Sequence, residues 1–402
     1  MRKLGWAWLL TLIQILFALA WAPKTGNVYL RLLNWDSDHY RSIAVNGYRI
    51  PDHPITSDDI HAGLANVVFL PGYPMASRWV QRTFNIPIDF ALLAVAQLSA
   101  VLFWFYFFAF LELGSVARKS QLLGAFAIAI HPAAFYMIAG YTESLFLASM
   151  MGFFYWIERG KVGGGIFFRL VALLHGLLLC WTRIVGVAVA FYPVVRERLT
   201  GVLLFALSVT SLVGFFIFCQ VHFSDWAIYF HLEETGWKNH RLYFALFNPM
   251  MYLPPVFFED TIQSLNKASV TFTMYMLVVV AIAEWKIARL KLRVREVFGF
   301  LSSIRGSLFF IAFGMFYIAL TGKANSNLDS MLRYTLPSYI LLVAEVLLLN
   351  TARRQVGEGP LFFAGANVGN RRARIKIIAA VIFAVGFQAW CIYRFTHGHW
   401  VA

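Results

Sequence analysis

The sequence predicts an all-α polytopic membrane protein, and three observations carry that prediction. Hydrophobic residues fill 60% of the 402 positions and charged residues only 13%, about half the charge of an ordinary soluble chain. Runs such as Gly5 to Trp21 and Val202 to Phe218 carry no charged side chain over roughly the length that one bilayer crossing needs. The basic residues fall in short clusters between the apolar runs, as cytoplasmic loops of a membrane bundle do. Membrane orientation thus accounts for the formal net charge of +14, and membrane lipids rather than nucleic acid are the expected partners.

The first apolar run, 5–22, follows Met1-Arg2-Lys3 and imitates a signal peptide. No small-x-small cleavage site stands near Trp21 to Lys24, so it reads as an uncleaved first span. Further spans are expected at 90–111, 121–139, 143–157, 166–181, 184–195, 200–221, 270–287, 304–321, 333–350 and 375–393, about 11 crossings in all. The piece 184–195 is short for a full crossing, and without it every later connection changes side.

Arg2 and Lys3 place the N-terminus in the cytoplasm. On the same side then fall Arg118/Lys119, Arg159/Lys161, Arg196/Arg198, the run Lys286-Arg289-Lys291-Arg293-Arg295, and Arg353/Arg354 with Arg371 to Lys376. The outer face receives the long segments 23–89 and 222–269, turns at 139–142 and near Arg183, and the loop 322–332. A single transmembrane domain over 1–402, with an outer-face catalytic cavity, is the expected organisation. Tyr29, Trp35, Tyr40, Tyr73, Trp79, Trp226 and Tyr229 lie near segment ends, where amphipathic rings suit the headgroup layer.

Several chemistries find no support. Cys180, Cys219 and Cys391 sit in apolar stretches without metal-ligand spacing and read as core residues. No phosphate-binding glycine loop opens a strand-to-helix unit, so nucleotide cofactors have no visible site; Gly163-Gly164-Gly165 reads as a flexible turn. No histidine spacing forms a zinc signature.

Acidic groups on the outer face need a reason. Asp36, Asp38 and His39 follow the first span directly. Asp36 either caps the helix that begins there or serves as a base that removes a proton from a hydroxyl. Such a base must remain ionised, so hydrogen-bond donors or a cation should stand beside it, with His39 one turn along the same helix. A divalent ion shared by Asp36, Asp38 and a further outer acid is an alternative that nearby arginines make unnecessary; no cofactor is required. Asp58 and Asp59 read as ordinary loop acids, and F-L-P-G-Y-P at 69–74 as a rigid turn or part of a cleft wall.

Glu143 begins a span, as a helix-start carboxylate favoured by the dipole, as a site residue, or as both. His131 reads as a core histidine. Arg183 lies between two apolar pieces, where an unpaired arginine is costly; it either snorkels to water or meets a phosphate. Arg333 and Tyr334 repeat the pattern, and two arginines on one face suggest a clamp on a phosphate leaving group. Asp225 is a second acidic candidate, whereas His231, Glu233, Glu234 and His240 fit a solvated amphipathic helix.

Five pieces in order resemble the PIG-V family of membrane mannosyltransferases, members of the GT-C glycosyltransferase superfamily. They are W-D-S-D-H-Y-R-S-I-A-V-N-G-Y at 35–48, F-L-P-G-Y-P, Tyr141-Thr142-Glu143-Ser144 with L-F-L, Thr182-Arg183 with Gly186, and S-M-L-R-Y-T-L-P at 330–337. The resemblance implies a GT-C-like bundle that takes a sugar, usually mannose, from a polyprenyl- or dolichyl-phosphate donor on the non-cytoplasmic face. It places the catalytic acid on Asp36 and matches His39, while Asp38 falls at a variable place. Where the family reads glycine-aspartate-proline, Ser224-Asp225-Trp226 keeps only the acid. The chain is compact beside the eukaryotic enzymes that extend the GPI glycan, which fits a prokaryotic relative acting on another lipid, glycan or protein acceptor. A transporter or flippase for a lipid-linked sugar is the rival reading, and a noncatalytic assembly subunit a third.

Overall fold

A computed structural model describes residues 2–197, 199–237, 239, 241–252, 261–288, 294–324, 328–355, 357 and 371–401. Arg198, His240, Arg289, Lys291 and Arg293, named above for their charge or ring, lie outside the described residues. The described chain is helical throughout, with no strand.

The N-terminal part comprises α1 (Arg2–Trp21), the short α2 (Asp36–Asn46) and α3 (Ser57–His61), α4 (Gly72–Phe84), then the long α5 (Ile88–Leu113) and α6 (Arg118–Ala129). The middle holds α7 (Glu143–Gly163), α8 (Ile166–Thr182), the short α9 (Gly186–Ala190) and α10 (Tyr192–Glu197), α11 (Leu199–Phe223) and α12 (Ile228–Trp237). The last part holds α13 (Thr261–Ala288), α14 (Val294–Leu301), α15 (Ile304–Lys323), the one-turn α16 (Met331–Tyr334), α17 (Leu336–Gln355) and α18 (Arg371–Thr396).

Seven helical stretches are long and apolar enough to cross a membrane: Arg2–Trp21, Ile88–Leu113, Leu199–Phe223, Ile262–Ile287, Ile304–Lys323, Met331–Gln355 and Ile375–Thr396. The other four expected crossings fall outside this set for separate reasons. In 121–139 the helix stops at Ala129, because Pro132 has no N–H to continue it and His131 Nδ1 accepts the Ala133 N–H instead. Helix α7 carries Glu143, Glu158, Arg159 and Lys161; α8 has only 17 residues; and 184–195 divides into α9 and α10.

Apolarity all round marks a helix that is either central or faces lipid, and burial separates the two. The stretch Met331–Gln355 is central, with 83% of its apolar window buried, whereas Arg2–Trp21 and Ile375–Thr396 bury only 22% and form the periphery. Phe103, Trp104, Phe107 and Phe108 of α5 are fully covered, packed against α1 and α7. Helix α4 leaves no room for a side chain at its first residue: a Cβ on Gly72 would stand 2.7 Å from Thr182 Oγ1 and 2.9 Å from the Trp181 carbonyl oxygen. That close approach fixes F-L-P-G-Y-P against the end of α8, immediately before Arg183.

Candidate active site

Four charged side chains, distant in sequence, form one chain of ion pairs. Asp36 Oδ2 accepts a hydrogen bond from Arg333 Nη1 at 2.7 Å across 297 sequence positions. Arg333 Nε stands 3.3 Å from Glu143 Oε1, which also accepts from Arg183 Nη1 at 2.6 Å. Glu143 is 1% exposed and Arg333 5%, so each charge depends on the others for compensation. Glu143 Oε2 and Arg333 Nε are buried without a hydrogen-bond partner.

Local structure holds each member in place. Trp35, with φ 56° and ψ −115°, occupies a region that a bulky residue rarely adopts, and its carbonyl accepts the Asp38 N–H as α2 begins. The loop is stapled to the turn before α7: Gly140 N–H donates to Leu32 O, and Ser37 Oγ donates to Gly140 O, both at 3.0 Å. Tyr141 Oη donates to Asn34 O at 3.2 Å. Asp36 and Glu143 are thereby set at a fixed separation. On the third segment Ser330 has φ 66°, and the buried Asn266 accepts the Leu332 N–H at 2.9 Å, orienting the turn that carries Arg333.

Aromatic rings replace water around the cations. The Arg333 guanidinium lies 5.1–5.5 Å from the rings of Tyr136, Tyr141 and Tyr334. Tyr334 also receives Arg183 at 5.0 Å and Lys323 at 5.4 Å, so three cations surround one ring.

The ion-pair chain opens on a cavity of about 420 Å³. Its charged side includes Glu143, Arg183, Lys323 and Arg333, with Tyr40 and Tyr334 beside them. Ile184, Met315, Ile318 and Pro337 supply apolar wall, and Glu233, Glu234 and Arg241 line a further part. Four cations and three carboxylates line the cavity, and a fourth carboxylate, Asp36, bonds Arg333 from behind the lining, so the formal charges balance.

The sequence-named candidates divide across this geometry. Glu143, Arg183, Arg333 and Tyr334 line the cavity. Asp36 is not a lining residue; it joins the group through Arg333. His39 also lies off the lining, its ring stacked on Phe69 at 4.6 Å and its Nδ1 buried without a partner. Burial lowers the His39 pKa below the ordinary histidine value, against the opposing pull of Asp36 and Asp38.

Asp225 stands apart: its carboxylate accepts from the Ala227 N–H at 2.8 Å and meets His231 Nδ1 at 2.8 Å. Asp38 pairs with Arg41, which also holds Asp89. Asp36 and Asp38 lie two positions apart on α2 and bind different arginines. Asp59 forms a capping box with Thr56, whose hydrogen bonds lower its pKa. His131 is a cap, packed on Tyr339.

Glu234 is exposed and Glu233 half-buried, as a solvated amphipathic helix requires, and both border the cavity. Helix α12 lies over α3, with Gly236 against Ile60, and this docking turns both glutamates toward the cavity. Lys323, Arg241 and Tyr40 are lining residues that sequence reasoning did not single out. Lys323 carries a usable signal, a cation at the end of an apolar span.

No family model matches the sequence, and no curated protein does. Solved structures with a similar fold include the oligosaccharyltransferase AglB of the archaeon Archaeoglobus fulgidus, in complex with an inhibitory peptide and a dolichol-phosphate. That alignment has 14% identity, a TM-score of 0.48, and covers 98% of this chain and 56% of that one. An oligosaccharyltransferase from the same organism, tethered to an acceptor peptide, aligns at 14% identity and TM-score 0.47 over 98% and 55%. ArnT from Cupriavidus metallidurans, bound to undecaprenyl phosphate, aligns at 12% identity and TM-score 0.45 over 98% and 76%. The chain spans little more than half the length of the archaeal proteins.

Proposed function

We propose that this protein is an inverting glycosyltransferase that moves a hexose from a polyprenyl-phosphate carrier to a hydroxyl of a lipid, glycan or protein acceptor. The observation that carries the proposal is the pair Arg183 and Arg333, converging from distant segments on one cavity. A sugar phosphodiester brings one negative charge, and two arginines suit its oxygens. The apolar wall beside them suits the prenyl chain. Mannose is the sugar favoured by the five-piece resemblance to the PIG-V family, and the basic clusters at the N-terminus and between apolar runs favour a non-cytoplasmic cavity.

In the proposed reaction the phosphate lies on Arg183 and Arg333, and the acceptor hydroxyl attacks the anomeric carbon from the opposite face. The new carbon–oxygen bond forms as the bond to the phosphate oxygen breaks. The electron pair leaves with the lipid phosphate, and the hydroxyl proton passes to Asp36. Configuration inverts, so a β-linked donor gives an α-glycoside. The arginines stabilise the charge that collects on the leaving group, which reduces the need for a separate general acid. Asp36 reaches the cavity through Arg333, so arginine movement onto the phosphate would expose its carboxylate to the acceptor.

Asp36→Asn tests this assignment. The variant is expected to fold and to bind a prenyl phosphate, while transfer falls by about 10²–10⁴-fold, the usual contribution of a positioned base. Near-normal turnover would remove Asp36 from the mechanism.

A further inference from the structure

Glu143 occupies the position that a phosphate should take. Its Oε1 accepts from Arg183 at 2.6 Å and stands 3.3 Å from Arg333 Nε, bridging the two guanidinium groups proposed to hold the donor. It is 1% exposed, lines the cavity, and leaves Oε2 without a partner, while Arg333 Nε also lacks a hydrogen bond. A carboxylate installed only to hold the arginines would have its second oxygen satisfied, because a buried orphan acceptor is costly.

From this we infer that Glu143 is a built-in stand-in for the donor phosphate: it holds Arg183 and Arg333 together while the cavity lacks donor, and yields them when a phosphate enters. The inference rests on the donor reading given under Proposed function. A phosphate presents more acceptor oxygens than the single one Glu143 shares between the arginines, so it can engage both more fully. In the absence of donor, Glu143 keeps Arg183 paired and supplements the Asp36 bond to Arg333. It also makes donor binding a competition between two anions for one pair of cations. Removing the resident carboxylate should therefore strengthen phosphate binding, the opposite of what loss of a structural anchor would do.

The test measures binding of farnesyl phosphate to the detergent-solubilised full chain, with melting temperature followed in parallel. Glu143→Gln keeps the shape and removes the charge; it is expected to bind roughly tenfold or more tightly than wild type, the scale of one charge-assisted hydrogen bond no longer displaced. Should this variant be unstable alone, farnesyl phosphate added during purification is expected to restore folding, because it supplies the missing anion. Weaker binding by folded Glu143→Gln, or no rescue of an unstable one, would overturn the stand-in role. Unchanged affinity with transfer abolished would overturn it too and make Glu143 a catalytic residue. Failure of wild type to bind farnesyl phosphate, with Arg183→Ala behaving identically, would instead remove the donor reading and this inference with it.

Discussion

Helix α7 carries a buried carboxylate near each end, and the two are completed differently. Glu158, near the C-terminal end, meets Arg196 through two parallel hydrogen bonds of 2.7 Å and accepts a third from Tyr192 Oη at 2.8 Å. Both of its oxygens are satisfied, and the Arg196 carbonyl accepts from Lys161 at the same end. Glu143, at the N-terminal end, also meets an arginine at 2.6 Å, yet one oxygen remains without a partner and the pair opens on the cavity. One pair is closed upon itself and ties α7 to α10. Its counterpart has bonding capacity left over, at the place where a ligand can use it.

Breaking each pair should therefore produce different losses. Arg333→Ala carries the largest expected effect, a fall of about 10²–10³-fold in transfer efficiency, read as kcat/KM with a prenyl-phosphate sugar. Wild-type donor use in that variant would erase the distinction between the two ends. Glu158→Ala should instead cost about 3–5 kcal/mol of stability in denaturant unfolding, since Arg196 is left buried and uncompensated, while the folded fraction keeps its donor affinity. A stable Glu158→Ala that loses donor affinity would reverse the assignment.

Smaller effects sharpen the boundary of the site. Thr56→Ala removes the capping box that begins α3 and should cost about 1 kcal/mol, with turnover per folded molecule unchanged. His39 yields a pH signature. Burial lowers its pKa beneath the ordinary 6.5, so the folded chain keeps the ring neutral where the unfolded chain begins to take up a proton. Stability from this group is complete above that value and declines as pH falls below it. His39→Gln should flatten that acid limb of the melting temperature; an identical limb would assign it to other groups.

Much of the site was legible because charge is conspicuous in an apolar sequence. Asp36, Glu143, Arg183 and Arg333 each interrupt or border a hydrophobic run, and the structure brings all four together. Asp225 has the same appearance in sequence, yet its partners are a nearby backbone N–H and His231 on its own segment. Local bonding of that kind leaves no mark that distinguishes it from a long-range pair. The supports were equally hidden. Asn266 orients the Arg333 turn from 66 positions away, and Ser37 reaches Gly140 across 103, contacts that depend on how helices stack rather than on any local pattern.

Hydrophobic runs place the elements and His131-Pro132 marks the break after Ala129, whereas apolarity continues across the break at Phe191. Glu233 and Glu234 border the cavity for a reason that local sequence does not display. Their helix has one face on α3, and only the docked arrangement shows which face meets the cavity.

Sugar transfer from a lipid phosphate is the reaction proposed for this cavity. Purified wild-type protein, given labelled prenyl-phosphate mannose and a panel of hydroxyl acceptors in detergent, measures it directly. An α-linked labelled glycoside is expected, together with an equal amount of released prenyl phosphate. Binding or movement of the intact donor, with no glycoside formed from any donor and acceptor pair, would contradict it.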